Sequence, residues 1–319
     1  MRGLSYALCI QHLPSLQNRS DSKCKYERVS TLVLFAVVKD RVYGNIKKRE
    51  SGSCGILKST QITREVMVQK IKEFCLMDDT FMSRVFDENI ECTELILRII
   101  LDIPELKVKQ VKTQYEIKNL LGHSVRMDIK AEDENGRPLN VEVQNENEGA
   151  EPKRARYNSS LLDANTLKKS EKYSMLPKSY VIFITRNDVL KGGKLIYHAD
   201  RVIAETGKPF GDEAHIIYVN SSYHDKSPLG KLMQDFRCKN PDDMHYKLLA
   251  EQTRYYKESE EGESAMCRIM EELIESDRKE TAIELLKDGR MSNEEIAQIV
   301  RLPVGVINGL EKEAETVPC

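Results

Sequence analysis

The stretch VRMDIKAEDENGRPLNVEVQ, residues 125–144, decides the fold of this chain. Apolar and polar residues alternate in both of its halves, which is the period-two pattern of β-strands. A three-residue loop at 134–136, with its glycine in the left-handed conformation, pairs Asp133 with Arg137 and is a common hairpin connection. We therefore expect an antiparallel hairpin with this loop at its tip.

The hairpin register decides whether two acidic side chains meet. With the three-residue loop, Asp128 lies directly across from Glu142, with β-carbons about 5 Å apart. A two-residue turn would instead pair Asp128 with Val143 and send Glu142 to the other face. Two carboxylates facing each other repel, and a hard divalent cation such as Mg²⁺ or Mn²⁺ relieves the conflict because it prefers oxygen ligands.

This acidic pair has two interpretations. In the first, a water of lowered pKa at the cation attacks a phosphodiester, and Gln144, on the same strand face as Glu142, orients that water. In the second, Asp128 and Glu142 are solvated strand residues flanked by Arg126 and Lys130. The spacing by itself favours the second interpretation, because so short a pattern has little specificity.

Hydrophobic periodicity predicts a mixed α/β sheet covered by helices. The predicted helices span 67–75, 89–101, 153–169, 228–257 and 264–288, and the predicted strands span 111–117, 125–131, 139–143, 180–184, 194–198 and 215–219. Gly289 is the expected stop of the long acidic helix. A capping box at Ser292 and Glu295 then opens a small two-helix unit.

The composition is that of an ordinary soluble protein. The chain has 319 residues, 49 Lys and Arg against 51 Asp and Glu, and no apolar run long enough to cross a bilayer. Its eight cysteines form neither a CxxC motif nor a zinc-ligand cluster, so free thiols are expected. We therefore expect a cytoplasmic protein with no membrane partner, no structural zinc and no disulfide scaffold.

Seven words of the sequence stand in an order typical of one known family. They are FMSRVF (81–86), RMDI (126–129), VEVQ (141–144), RARYNSS (154–160), YVIFIT (180–185), GDEAHIIYVN (211–220) and LGKLMQDF (229–236). Together they resemble the PD-(D/E)XK nuclease family transposases, also called recombination-promoting nucleases, in the branch that has Glu-x-Gln in place of Glu-x-Lys. The resemblance extends over residues 61–310.

The resemblance implies a restriction-endonuclease-like α/β fold, a mixed sheet flanked by helices with a helical C-terminal extension. It also implies Mg²⁺- or Mn²⁺-dependent endonuclease cleavage of DNA that promotes recombination or transposition. Asp128 and Glu142 match the metal-binding acids, and Gln144 takes the place of the usual lysine. Glu94 matches an extra acidic ligand, with a surface ion pair to Arg98 as an equal alternative.

Basic and aromatic residues near the acids are the candidate DNA contacts, because such groups suit a phosphate backbone. The candidates are Arg126, Lys130, Arg154, Arg156 and Tyr157. The alternative for the last three is a solvated helix start with Tyr157 packed on Leu161. The rival function is a DNA- or protein-binding module that kept the nuclease fold and lost efficient catalysis.

The chain is expected to divide into three regions. Residues 1–60 carry 11 Lys and Arg against four Asp and Glu, and form a basic, poorly ordered leader. Residues 61–225 form the nuclease-like domain, and 226–319 form a helical region ending in the two-helix unit. The second helix of that unit carries only Lys312 as a base, so packing or homo-oligomerisation is favoured there over DNA binding.

Overall fold

The computed structural model describes residues 63–118, 123–146 and 149–316, so the predicted leader at 1–60 lies outside the described residues. Helices and strands follow one another in the order α1–α3, β1–β3, α4, β4–β6 and α5–α9. Their bounds are α1 Arg64–Glu73, α2 Asp79–Phe86, α3 Ile90–Leu101, β1 Val108–Ile117, β2 Val125–Asp133, β3 Pro138–Gln144, α4 Pro152–Thr166, β4 Ser179–Thr185, β5 Ile196–Ala199, β6 Ala214–Asn220, α5 Pro228–Arg237, α6 Lys247–Glu258, α7 Glu260–Asp288, α8 Asn293–Val300 and α9 Val304–Thr316.

Six strands form one mixed sheet in the order β1-β2-β3-β4-β6-β5. The first three strands are antiparallel neighbours, β3, β4 and β6 run parallel, and β5 closes the far edge antiparallel to β6. Every residue of β4 is buried, as expected for a parallel strand covered on both faces. The predicted mixed α/β sheet flanked by helices is confirmed.

Each face of the sheet has its own apolar core. The larger core joins one face to α1, α2, α3, α5, α6 and the first part of α7. Within it, Phe86 of α2 stacks on Phe236 of α5, with ring centroids 6.2 Å apart. The smaller core lies on the other face, where Ala155 and Leu162 of α4 pack with Phe183 of β4. The helices that follow β6 therefore complete the larger core.

The hairpin of β2 and β3 has the predicted register. Ile129 pairs with Val141, and Gly136 at the tip has φ = 75°, which identifies the three-residue loop. Extending this register by one residue places Asp128 across from Glu142. The paired part of the hairpin ends at Ile129 and Val141, so Asp128 and Glu142 are the next residues on their strands. Glu142 lies on the face that α4 covers, where Arg154 contacts it.

Two helical predictions differ from the structure. No helix was predicted at α2, because eight residues are too few to display a helical period, although it buries four large side chains. The region 228–257, predicted to be helical, is interrupted in the structure and forms the two helices α5 and α6. Between them, the buried carboxylate of Asp235 accepts the backbone N–H groups of His245 and Tyr246 at 2.7 and 2.8 Å, which fixes the start of α6.

One buried cation fastens the C-terminal helices to α1. The side chain of Lys257, on α6, donates to the backbone carbonyls of Lys72 at 3.1 Å and of Phe74 at 2.5 Å, and also to that of Lys239. The residue is 2% exposed, and burial lowers the pKa of its ammonium. Three carbonyls at the ends of helices α1 and α5 thereby gain a charged donor.

The long helix α7 links two cores. Met266 and Met270 in its first half belong to the larger core, whereas Ala282 joins a separate small core with α8 and α9. Gly289 ends the helix in the left-handed conformation with φ = 67°, and the predicted capping box at the start of α8 is present. Among the helices of the described ranges, none is both long and apolar enough to cross a membrane.

Candidate active site

Beyond the pair Ile129–Val141, Asp128 connects β2 to β3 through its side chain. The backbone N–H of Val143 donates to Oδ2 of Asp128 at 2.8 Å, so the carboxylate occupies the space between the two strands. β3 itself continues beside β4 as far as Gln144. Asp128 is thus held between its own strand and a backbone donor of β3.

Glu142 is fully buried on the face of the sheet that α4 covers. Its Oε1 accepts a hydrogen bond from Nδ2 of Asn140 at 2.8 Å, and its Oε2 accepts one from Nη2 of Arg154 at 3.2 Å. Arg154 lies in the first turn of α4 and also donates to the carbonyl of Gly149. Each carboxylate oxygen keeps a second lone pair. The interpretation of Glu142 as a solvated strand residue is therefore wrong.

The two acids are in electrostatic conflict. Burial raises the pKa of the Asp128 carboxyl well above its ordinary value, and the charges of Glu142 and Asp79 raise it further. Burial also raises the pKa of Glu142, although the Arg154 guanidinium opposes that rise. Either a proton or a cation relieves such a conflict, so positive charge is favoured at this pair.

Asp79 is a third acid at this site that the sequence pattern did not identify. It is the first residue of α2, and its Oδ1 accepts a hydrogen bond from the amide of Gln114 at 2.5 Å. Gln114 in turn accepts from the guanidinium of Arg126. An acidic Asp78-Asp79 pair before an apolar segment is typical of a helix start, and that signal could have revealed both the helix and the acid.

Gln114 has an unusual backbone inside β1, with φ = 52°. This left-handed conformation costs a residue with a side chain about 1–2 kcal/mol. Strain of this kind is found where the surroundings fix a residue for function. Here it directs the amide toward Asp79 on α2 and the amide oxygen toward Arg126 on β2, so one side chain joins three elements around the acids.

Glu94 lies apart from these acids. Its carboxylate pairs with Arg98 and Lys107 and accepts the N–H of Val108 at 3.0 Å. Burial pushes its pKa up, but these hydrogen bonds and charges bring it below the ordinary value. The structure therefore forms the alternative ion pair with Arg98, and Asp79 is the acid on a preceding helix that reaches Asp128.

The remaining candidates have varied surroundings. Lys130 places Nζ 4.1 Å from the centroid of the Tyr115 ring, a cation–π contact. Tyr157 donates its hydroxyl to the carbonyl of His123 at 2.6 Å, and Arg156 is exposed. Among the five predicted DNA contacts, Arg154 touches a predicted metal ligand, Glu142.

Polar atoms around Glu142 are buried without a partner in the described chain. They are Oδ1 of Asn140, both amide atoms of Asn158 on α4, and the hydroxyl of Tyr218 on β6. Burial raises the pKa of Tyr218 to about 12, so its hydroxyl stays a neutral donor. Buried polar atoms of this kind usually bind ordered water. We therefore expect a hydrated pocket between the sheet and α4.

The side chains present fit a hard divalent cation. Asp128 and Glu142 offer oxygen donors only, carry free lone pairs, and have raised pKa values that a cation would bring down. No cluster of three or more His, Cys, Asp or Glu residues arranged for a metal occurs in the part of the chain that the structure describes. Such an ion would therefore be held by two carboxylates, with waters or substrate oxygens completing its shell.

Comparison with known proteins identifies the family. No curated protein and no solved structure matches the chain. A family model described as PD-(D/E)XK nuclease family transposase matches residues 86–275, more than half of the chain. The match contains both acids, Gln144 and all six strands of the sheet. Helix α1 and all but the last residue of α2 precede it. The chain therefore belongs to the PD-(D/E)XK nuclease family transposases.

Proposed function

We propose that this chain is a Mg²⁺- or Mn²⁺-dependent DNA endonuclease of the transposase, recombination-promoting type, which hydrolyses phosphodiester bonds. The observation that carries the proposal is that the carboxylate of Asp128, on β2, accepts the N–H of Val143, the residue after Glu142 on β3, while burial raises the pKa of both acids and the Glu142 charge adds to the rise at Asp128. Two neighbouring buried carboxylates destabilise a sheet unless positive charge compensates them. A cation site needs such a pair, whereas the stability of the sheet does not.

Each residue has a distinct task in this proposal. A bound divalent cation supplies Lewis-acid polarisation of the scissile phosphate and lowers the pKa of the attacking water. Asp128 and Glu142 hold that ion, and Arg154 and Asn140 keep the Glu142 carboxylate oriented. Gln144 orients the water with a neutral amide, which can donate and accept hydrogen bonds but cannot balance negative charge as a lysine would.

Nicking of supercoiled plasmid in Mg²⁺ or Mn²⁺ tests the proposal. We expect Asp128→Ala and Glu142→Ala to reduce nicking by a hundredfold or more, since either change removes a cation ligand. Glu105→Ala is the matched control, because Glu105 is an exposed acid remote in sequence from the site. Nicking by both site variants at the parent's rate would refute the assignment.

A second function is favoured by one specific observation. Both oxygens of Glu142 already have donors, and the neutral Gln144 replaces the usual lysine, so the fold could serve as a DNA- or protein-binding module with weakened catalysis. Retention of DNA by the intact chain without any nicking in either cation would favour this module over the endonuclease.

The proposal extends to the regions of the chain. Residues 61–225 would carry the nuclease chemistry, and 226–319 would complete the helical layer and support a homo-oligomer through the C-terminal helices. Such an enzyme would act in the cytoplasm. Light scattering of the intact chain, compared with a variant shortened after Gly289, tests the oligomer, because loss of α8 and α9 should reduce its mass to that of a monomer.

A further inference from the structure

We propose that α4 and the loop after it form a second DNA-binding surface, which guides duplex DNA away from the acids; this rests on the proposed function. We call it the basic track. It comprises Lys153 and Arg156 on α4, Lys168, Lys169 and Lys172 in the loop at 167–178, and the exposed apolar side chains of Tyr173 and Met175.

The charge of this segment contrasts with the rest of residues 61–319. Residues 152–178 contain seven Lys and Arg against two Asp and Glu, in a protein whose formal charge is −2. The five basic side chains of the track are exposed, and none forms an ion pair with another residue in the described ranges. A surface of this kind attracts the phosphate backbone even where the net charge of the protein does not.

The acids near the track do not cancel its charge. Asp163 is half-buried, and burial raises its pKa. Glu171 accepts the backbone N–H of Lys168 at 2.9 Å. In the loop before β6, three acids have partners of their own: Arg201 pairs with Asp212, Lys178 pairs with Glu213, and the ring of His215 contacts Asp200. The bases of the track are therefore available to an external anion.

Helix stability does not account for these bases. The first turn of α4 contains no acid, and its N-cap residue Glu151 makes no side-chain capping hydrogen bond, although the positive end of the helix dipole favours acids there and disfavours Lys and Arg. Basic side chains at the positive end of a helix are unfavourable by themselves, but a bound anion would offset the repulsion between them and the helix dipole. The bases of α4 thus agree with a phosphate backbone approaching from the side of the active site.

The far end of the track adds an apolar contact. Tyr173 is 89% exposed and Met175 is 67% exposed, the two highest values among the large exposed apolar side chains of the described chain. Exposed aromatic and apolar side chains among bases are what proteins insert between or against DNA bases. Apolar surface exposed to water is unfavourable, and contact of both side chains with the bases or sugars of DNA would remove that surface from water.

The length of α4 fits this arrangement. From Arg154, which touches Glu142, to Thr166 at the end of α4, the helix rises about 18 Å at 1.5 Å per residue. That distance corresponds to about five base pairs of duplex at 3.4 Å each. The track can therefore contact DNA about half a helical turn away from a phosphate held at the acids.

Fluorescence anisotropy with a labelled 30-base-pair duplex, in EDTA and over 50–200 mM KCl, tests the track in the full-length chain. We expect K168A/K169A/K172A to weaken binding at least tenfold at 100 mM KCl and to reduce the slope of log affinity against log salt by about 2 to 3. The control K247A/K279A/K287A removes the same charge from α6 and α7, and should change the affinity less than twofold.

A second pair of variants separates the apolar contact from charge. Tyr173→Ala should weaken binding about tenfold with an unchanged salt slope, whereas Tyr173→Phe, which keeps the ring, should bind as the parent does. Equal losses in the two triple variants, or no duplex binding by the parent, would overturn the track. Track-dependent binding without plasmid nicking would support the track and refute the endonuclease, so the two failures are distinguishable.

Discussion

Replacing Asp128 with asparagine should stabilise the protein when no divalent cation is present. Asp128 and Glu142 follow the last paired residues of β2 and β3, where β-carbons are typically about 5 Å apart, and two charges at that separation repel by about 3 kcal/mol at an effective dielectric constant of 20. Asparagine removes the repulsion but accepts the Val143 N–H more weakly, at a cost of about 1 kcal/mol. The net gain of about 2 kcal/mol should raise Tm by about 3 °C at pH 7.

The gain should depend on pH in a defined direction. Because the pKa of Asp128 is raised in the folded state, the native protein binds more protons than the unfolded chain between the ordinary carboxyl pKa and the raised one. The stability of the parent therefore falls as pH rises through that window. Asparagine does not titrate, so its advantage should be largest at neutral pH and vanish below about pH 4.

Thermal unfolding in EDTA and in 10 mM Mg²⁺ or Mn²⁺ measures both effects. The cation should raise the Tm of the parent by binding only the folded state, and should have little effect on Asp128→Asn. Glu105→Gln is the control, since it removes an exposed acid, and it should shift Tm by less than 1 °C in either buffer. A destabilised Asp128→Asn in EDTA, together with a parent insensitive to cations, would refute the reasoning.

The remaining predictions concern catalysis, the buried cation and two glycines. Gln144→Lys should increase plasmid nicking about tenfold, because it adds a positive charge beside the scissile phosphate; an unchanged rate would argue against Gln144 as the group that orients water. Lys257→Met should cost about 3 kcal/mol in urea unfolding, since three backbone carbonyls lose their charged donor; a neutral effect would contradict its role. Gly289→Ala should lower the free energy of unfolding by about 1 kcal/mol, because the residue has φ = 67°. Gly309→Ala, inside α9, should raise it by about 0.8 kcal/mol, because the added methyl meets open space. Calorimetry that gave both changes the same sign would contradict this explanation.

The hairpin could be predicted from sequence because local chemistry determines it. A glycine at the last loop position fixes the register by parity, and parity places Asp128 beside Glu142 without any knowledge of the rest of the fold. The long helix α7 was equally accessible, since its stop at Gly289 and the capping box after it are local signals.

The parts that sequence did not predict depend on contacts between distant segments. Asp79 reaches the acids only because α2 packs under β1 and β2, and Gln114 meets it across 35 positions of the chain. Glu94 had the sequence position expected of an extra metal ligand, on the helix before the first strand. In the structure its carboxylate instead binds Lys107 and the N–H of Val108. Burial of Glu142 likewise follows from α4 folding over β3, which strand alternation does not reveal.

The continuous geometry of α7 has a consequence for engineering and for evolution of the chain. Residues 275–281 lie between the two cores that this helix serves. Each residue inserted there would swing the terminal bundle by about 100° and shift it by about 1.5 Å, while both packing clusters stayed intact. The number of residues in α7, more than their identity, therefore determines the direction in which α8 and α9 point.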